Sequence, residues 1–141
     1  MRIVFVDTFY WVALANPRDD WHARVKDFSQ SLEQTRFITT DEILVEFLAL
    51  LRNLGPEMRR AAVRLARGVL QDPNTRVIPQ TRTSFLSGLA LYEARPDKEY
   101  SLTDCISMQT MREQGLTEVL TNDRHFNQEG FTLLPGSSED Q

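Results

Sequence analysis

Residues 3–6 are continuously apolar, rich in β-favouring side chains and too few for a stable helix, so they predict a fully buried strand. Residues 9–15 begin a crossover, and Asn16 and Pro17 mark a turn. Trp21, Val25, Phe28 and Leu32 then recur every third or fourth position, which predicts an amphipathic helix over 21–35. A short strand at 36–38 leads to Thr40 and Asp41, either of which can cap a helix over 41–54 that Gly55 and Pro56 stop. A second helix follows over 57–70, and the two form a hairpin that projects from the sheet or packs along it. Residues 76–78 read as a strand, Thr81 or Thr83 as the cap of a helix running to 94, and 95–100 as a charged loop containing Pro96. Ser101 and Asp104 have capping-box spacing and open a helix that ends at Gly115. Residues 118–121 read as a strand, 124–128 as one turn of helix and 131–134 as an edge strand.

Strands alternating with helices at this spacing predict an α/β fold, with a mostly parallel central sheet flanked by helices and a protruding helical hairpin. The 141 residues suit one domain, here residues 1–135, followed by a polar tail at 136–141 that is expected to fray. Hydrophobic residues at 41% and charged residues at 26% describe an ordinary globular chain. No apolar run approaches the roughly 18 residues of a membrane span. The first apolar run ends at once in Asp7, unlike a secretion signal, so a cytoplasmic location is expected. One cysteine, Cys105, and two histidines, His22 and His125, exclude an internal disulfide and a cysteine-rich zinc site.

A net charge of −4 argues against a uniformly basic surface for nucleic acid. Four carboxylates facing divalent cations would account for the whole imbalance. Asp7 follows the first strand, at the carboxyl end where open α/β sheets place their ligands, although it also suits a cap beside Thr8. Asp123 repeats that arrangement after the strand at 118–121, where Asn122 and Asp123 would also serve as a turn and cap. Glu46 is the least easily explained acid, because Ile43, Phe47, Ala49 and Leu50 surround it on its helix and a half-buried carboxylate needs a partner. Asp104 would be accounted for by capping alone, yet the first helical turn also holds an acid rigidly where phosphate is favoured. Together the four acids, all hard oxygen donors, suit Mg²⁺, with Mn²⁺ as the alternative. Two such ions about 4 Å apart can activate water and stabilise the leaving oxygen of a phosphodiester. A phosphate-binding Gly-rich loop followed by lysine, a Gly-x-Gly-x-x-Gly turn and a Gly-x-Ser-x-Gly elbow are all missing. Phe9 stands two residues after Asp7, where an aspartyl-phosphate phosphatase has a second acid.

Four segments in order carry a family resemblance: Val6-Asp7-Thr8, Thr39 to Glu46 (TTDEILVE), Ser101-Leu102-Thr103-Asp104-Cys105, and Thr121-Asn122-Asp123-Arg124-His125-Phe126. Spanning about residues 3–134, they resemble the PIN-domain nucleases, and most closely the VapC-type toxins of toxin–antitoxin pairs. Position by position, the resemblance places the family's catalytic and metal-binding acids at Asp7, Glu46, Asp104 and Asp123. It implies that Asp7 and Asp104 hold one ion most directly, while Asp123 and Glu46 complete its water shell or hold a second. It also implies an endoribonuclease that cuts tRNA, rRNA or mRNA, leaves 5′-phosphate and 3′-hydroxyl ends and arrests translation. A protein antitoxin and a toxin homodimer are implied as partners.

Around these acids, Thr8, Asn122, Arg124 and His125 are candidates for substrate contact, each with a structural alternative as a cap, turn or packed ring. Fourteen of the sixteen basic residues are arginine, and Arg52, Arg59, Arg60, Arg64 and Arg67 gather on the expected hairpin. That region, 42–70, suits antitoxin contact, although the cluster also fits an ordinary solvated helix face. Tyr10, Trp11 and Trp21 suit core or dimer contacts better than base stacking. A catalytically weak RNA- or protein-binding domain and a metal-dependent phosphatase remain as alternative functions.

Overall fold

The computed structural model describes residues 1–136, so the expected fraying of the tail lies outside the described residues apart from Gly136. Five strands form one sheet in the order β3-β2-β1-β4-β5: β1 (Arg2–Val6), β2 (Thr35–Thr40), β3 (Thr75–Ile78), β4 (Glu118–Leu120) and β5 (Thr132–Leu134). Every pairing is parallel. The chain is thus the expected α/β domain. β1 lies at the centre, and its Val4, Phe5 and Val6 are fully buried, as a continuously apolar strand in a parallel sheet must be.

The first crossover is two short helices, α1 (Thr8–Ala15) and α2 (His22–Ser29), where one long helix was expected over 21–35. Residues 30–34 turn into β2 instead, and β2 starts one residue earlier than the expected strand. The apolar stripe was genuine, since Val25 and Leu32 are buried, but Leu32 is supplied by a turn rather than a helix. Tyr10 and Trp11 on α1 are core residues, and the Trp11 indole donates toward Thr39 Oγ1 at 3.4 Å. Thr39 itself donates to the carbonyl of Val6 at 2.9 Å, tying the ends of β1 and β2 together.

Thr40 caps α3 (Asp41–Leu50) by accepting from the Ile43 amide at 3.1 Å. The helix stops earlier than the expected 54. Residues 51–55 then lead to α4 (Pro56–Gln71), which has proline in its first turn and packs back through Ala62 and Val69. The five arginines of this region are exposed. After β3, Thr81 rather than Thr83 caps α5 (Arg82–Ala94), in a reciprocal box with Ser84. The α6 helix (Leu102–Gln114) has the expected Ser101–Asp104 capping box and ends at Gly115 in the left-handed conformation that glycine accepts without strain. A short α7 (Arg124–Gln128) precedes β5 at the sheet edge.

Helices α5 and α6 pack against each other as a helical hairpin, a pair the apolar pattern did not single out. Gly88 makes the approach possible, because a Cβ there would stand 2.3 Å from Ile106 Cγ1 and 3.1 Å from the Ile106 backbone nitrogen. Gly68, inside α4, faces open space. Replacing Gly88 with alanine should therefore destabilise the fold by about 1–3 kcal/mol in urea titration, since the Ile106 backbone as well as its side chain must shift. By contrast Gly68→Ala should stabilise by up to about 1 kcal/mol through helix propensity. Equal effects of the two substitutions would show that α5 and α6 are not in this contact.

Candidate active site

Two paired strands place the first half of the site. Phe5 and Val6 of β1 pair with Val119 and Leu120 of β4, so Asp7 and Thr121 occupy the next rung, and the Asp7 amide donates to the Leu120 carbonyl at 3.2 Å. This is also where strand order reverses, with β2 and β3 on one side of β1 and β4 and β5 on the other. Open α/β sheets bind ligands at such a switch point, outside the carboxyl ends of the strands. Asp7 is 5% exposed, and Thr121 Oγ1 donates to its Oδ2 at 2.8 Å while accepting from the Asp123 amide at 3.1 Å. One hydroxyl thereby fixes two of the acids. Within its motif Thr121 carries no local mark of this role; its place at the strand end, two residues before Asp123, is the only signal of it in the sequence.

Asp104 enters from α6, where its Oδ2 accepts from the Ser101 amide at 3.1 Å and its own amide donates to Ser101 Oγ at 3.0 Å. It is 8% exposed, so capping leaves it facing inward rather than into solvent. Asp123 caps α7, its Oδ1 accepting from the His125 amide at 2.9 Å. Glu46, on α3, is half-buried, which answers the question its apolar neighbours raised.

Charge interactions tie these acids into one site. Burial pushes the Asp7 carboxyl up to about 7, the Thr121 hydrogen bond opposes this, and the charges of Asp104 and Glu46 reinforce it. Burial likewise raises Asp104, and the charges of Asp123 and Glu46 add to the effect. Asp104 is thereby coupled to each of the other three sequence-predicted acids, and Asp7 to Asp104 and Glu46. The tightest group is Asp104, Asp123 and His125, whose candidate ligand atoms lie within 4.8 Å of one another. His125 Nδ1 is 3.2 Å from Asp123 Oδ1 and 3.6 Å from Asp104 Oδ2, without the alignment of a hydrogen bond.

The remaining candidates divide by burial. Thr8 is 3% exposed, and its Oγ1 is buried with no hydrogen-bond partner among the described residues, beside Asp7. Asn122 and Arg124 are exposed, next to Asp123. Behind His125 lies a cluster that sequence reasoning missed. The Tyr100 ring stands 5.2 Å from the imidazole, and its hydroxyl donates to Glu129 Oε2 at 2.9 Å. Burial works against the Glu129 charge, but hydrogen bonds from Arg95, Arg112 and Tyr100 outweigh it and hold the carboxyl at about 2. Nothing in the local pattern around Glu129 marks it, because its partners come from 17 to 34 residues away.

These residues fit a hard divalent cation. Oxygen donors converge, the deepest acid is held back from ionising by burial and by its neighbours' charges, and a buried hydroxyl next to it has an unmet hydrogen bond.

The family model described as the PIN domain matches residues 4–131. The chain belongs to the PIN domain family. It is homologous to the VapC20 toxin of Mycobacterium tuberculosis, described as a 23S rRNA-specific endonuclease, with 29% identity over 92% of this chain and 95% of the relative. The crystal structure of VapC20, described as a sarcin–ricin loop cleaving toxin, superposes with a TM-score of 0.82 at 28% identity, covering 92% of this chain and 96% of the other. FitAcB from Neisseria gonorrhoeae shares the fold, with a TM-score of 0.64 at 17% identity over 92% of this chain and 95% of the other. Among the described residues of this PIN domain, no helix is long and apolar enough to cross a membrane.

The raised Asp7 carboxyl has a consequence for stability. Its folded-state value of about 7 lies above the ordinary aspartate value of 3.8, so its stabilising contribution is full below about 4 and lost as pH rises through about 7. In metal-free protein, Asp7→Asn should therefore flatten the decline in thermal midpoint between pH 4 and 8 and raise stability by a few kcal/mol at the alkaline end. Adding Mg²⁺ at pH 8 should raise the midpoint of the unsubstituted protein more than that of the variant. An unchanged pH slope in the variant would remove Asp7 as its cause.

Proposed function

We propose that this PIN domain is a divalent-metal-dependent endoribonuclease and the toxin of a toxin–antitoxin pair. The observation that carries the reading is the gathering of Asp7, Glu46, Asp104 and Asp123 at the switch point of the sheet, where the charges of Asp104 and Glu46 act on Asp7 and those of Asp123 and Glu46 act on Asp104. A binding-only domain does not call for four acids in one partly buried place, where their repulsion lowers stability.

Asp7, Asp104 and Asp123 would hold Mg²⁺ or Mn²⁺, with Glu46 completing the shell or contributing to a second site. When bound, the ion would supply Lewis acidity to the scissile phosphodiester and would lower the pKa of an attacking water. Thr121 fixes the orientation of the Asp7 carboxylate and the position of the Asp123 backbone. The Thr8 hydroxyl, buried with its hydrogen bond unmet next to Asp7 in sequence, would orient water there. Asn122 and Arg124 stand on the exposed rim, suited to the flanking phosphates. His125, held between Tyr100 and the two aspartates, contacts the same region as a positioning group.

The relative's description as a 23S rRNA-specific endonuclease makes ribosomal RNA the first substrate to test for this chain. For the antitoxin, the exposed arginines of α3–α4 and the neighbouring exposed Val45, Leu50 and Leu54 provide a mixed basic and apolar surface. A homodimer would require an apolar face of the same kind; exposed Leu86, Leu89 and Tyr92 on α5 supply one.

Purified protein with Mg²⁺ or Mn²⁺ should cut RNA from a pool of 23S rRNA, tRNA and mRNA and leave 5′-phosphate ends. Asp7→Asn or Asp104→Asn should lower the rate by about 100-fold or more, with chelator abolishing it. Thr121→Val should cost about 10-fold or more without unfolding the protein, because it releases both aspartates. Cleavage that persists equally in the aspartate variants would refute the assignment.

A further inference from the structure

Beside the acids, a cavity of about 450 Å³ is lined by Glu42, Gln80, Thr81, Arg82, Phe85 and Ile106. It shares α3 with the acid site: Glu42 lies one turn before Glu46, on the same face of the helix. Four residues of helix advance about 6 Å, a step that one nucleotide can span. The β3–α5 connection closes this side, with the Gln80 amide donating to Asp41 Oδ2 at 3.0 Å.

Glu42 carries an unmet demand. Its Oε1 is buried with no hydrogen-bond partner among the described residues, and its Oε2 meets Ser84 Oγ at 3.5 Å, the outer limit of a hydrogen bond. A buried acceptor in this state calls for a donor from a ligand. Phe85 is half-buried, and the Arg82 guanidinium lies over one face of its ring, 5.4 Å from the centroid.

We propose that this cavity receives one unstacked guanine of the RNA, adjacent to the phosphate presented to the acids, with Glu42 reading its Watson–Crick edge. The proposal rests on the ribonuclease reading above. An ionised carboxylate only accepts hydrogen bonds, and guanine alone among the four bases presents two adjacent donors, N1–H and the N2 amine, on that edge. Adenine and cytosine place a ring-nitrogen acceptor beside their single amine, which a carboxylate repels. Stacking on Phe85 holds the base plane, and Arg82 at the mouth favours the anionic backbone over a basic peptide.

The test uses fluorescent single-stranded oligouridine RNAs carrying one central guanosine, inosine or adenosine, with binding followed by anisotropy in Mg²⁺ on Asp7→Asn protein, whose cutting is slowed about 100-fold or more. Guanosine should bind about tenfold more tightly than adenosine, and inosine, which keeps N1–H and lacks the N2 amine, should fall between. Glu42→Gln should abolish the difference between guanosine and adenosine, whereas Phe85→Ala should weaken all three. Because the inosine comparison alters the RNA alone, it stands even if a variant misfolds. Equal binding of guanosine and adenosine would overturn the proposal, as would a guanosine preference that survives Glu42→Gln, or saturation of the cavity by an arginine-rich peptide without base discrimination. Cleavage of an RNA pool by the unsubstituted protein separates the two readings. Cutting without guanine beside the break defeats the cavity alone, while selective binding with no cutting of any RNA defeats the nuclease alone.

Discussion

Two parallel strands, β1 and β4, pair up to Val6 and Leu120, and each then releases one polar residue at the same level of the sheet. The position of Asp7 against Thr121 follows directly from that register, because in a parallel ladder the residues after paired positions leave side by side. The remaining site is arranged around this pair. Thr121 spans Asp7 and the Asp123 amide, the α6 capping box turns Asp104 inward, and α3 brings Glu46 close enough for its charge to be felt at Asp7. A register slip of one residue would send Asp7 to the opposite face and dissolve the constellation.

The convergence has a thermodynamic cost that ordinary folding does not explain. Asp104 and Asp123 also cap helices, so local structure benefits from them, while Asp7 holds the N-cap position of α1 without a side-chain capping hydrogen bond. Capping does not require them to face one another, however, and their repulsion in a partly buried place opposes folding. Glu129 shows how the same chain treats an acid whose role is structural: two arginines and a tyrosine surround it and keep it ionised. The contrast between a matched acid and a set of mutually repelling ones distinguishes framework from site within about one helix length.

The cavity beside the acids extends the same physical reasoning from charge to hydrogen bonding. Glu42 sits in the first turn of α3, where an acid is favoured by the helix dipole, and that alone would account for its presence. Its buried, unmet oxygen is what the dipole does not account for. A cavity that combines an unmet acceptor with an aromatic ring and a guanidinium has the chemistry to choose among bases, whereas the acids by themselves offer only oxygen ligands.

Much of this was legible in the linear chain. The apolar run at 3–6, the capping spacing of Ser101 and Asp104, and the Gly55-Pro56 stop are local patterns, and local patterns determine where elements begin and end. They failed where a stripe continued beyond its helix, since the contact of Leu32 with the core is compatible with a turn as well as with helical backbone. Four acids at the right intervals were visible too, because motif spacing is a property of sequence. Their mutual coupling, the bridging role of Thr121, the Tyr100–Glu129 cluster behind His125 and the unmet oxygen of Glu42 depend on groups as far as 114 residues apart. The sequence by itself determined which side chains were available and on which elements they stood; only the tertiary structure decided which of them meet, because sheet order and helix packing, not proximity along the chain, set the distances over which charge and hydrogen bonding act.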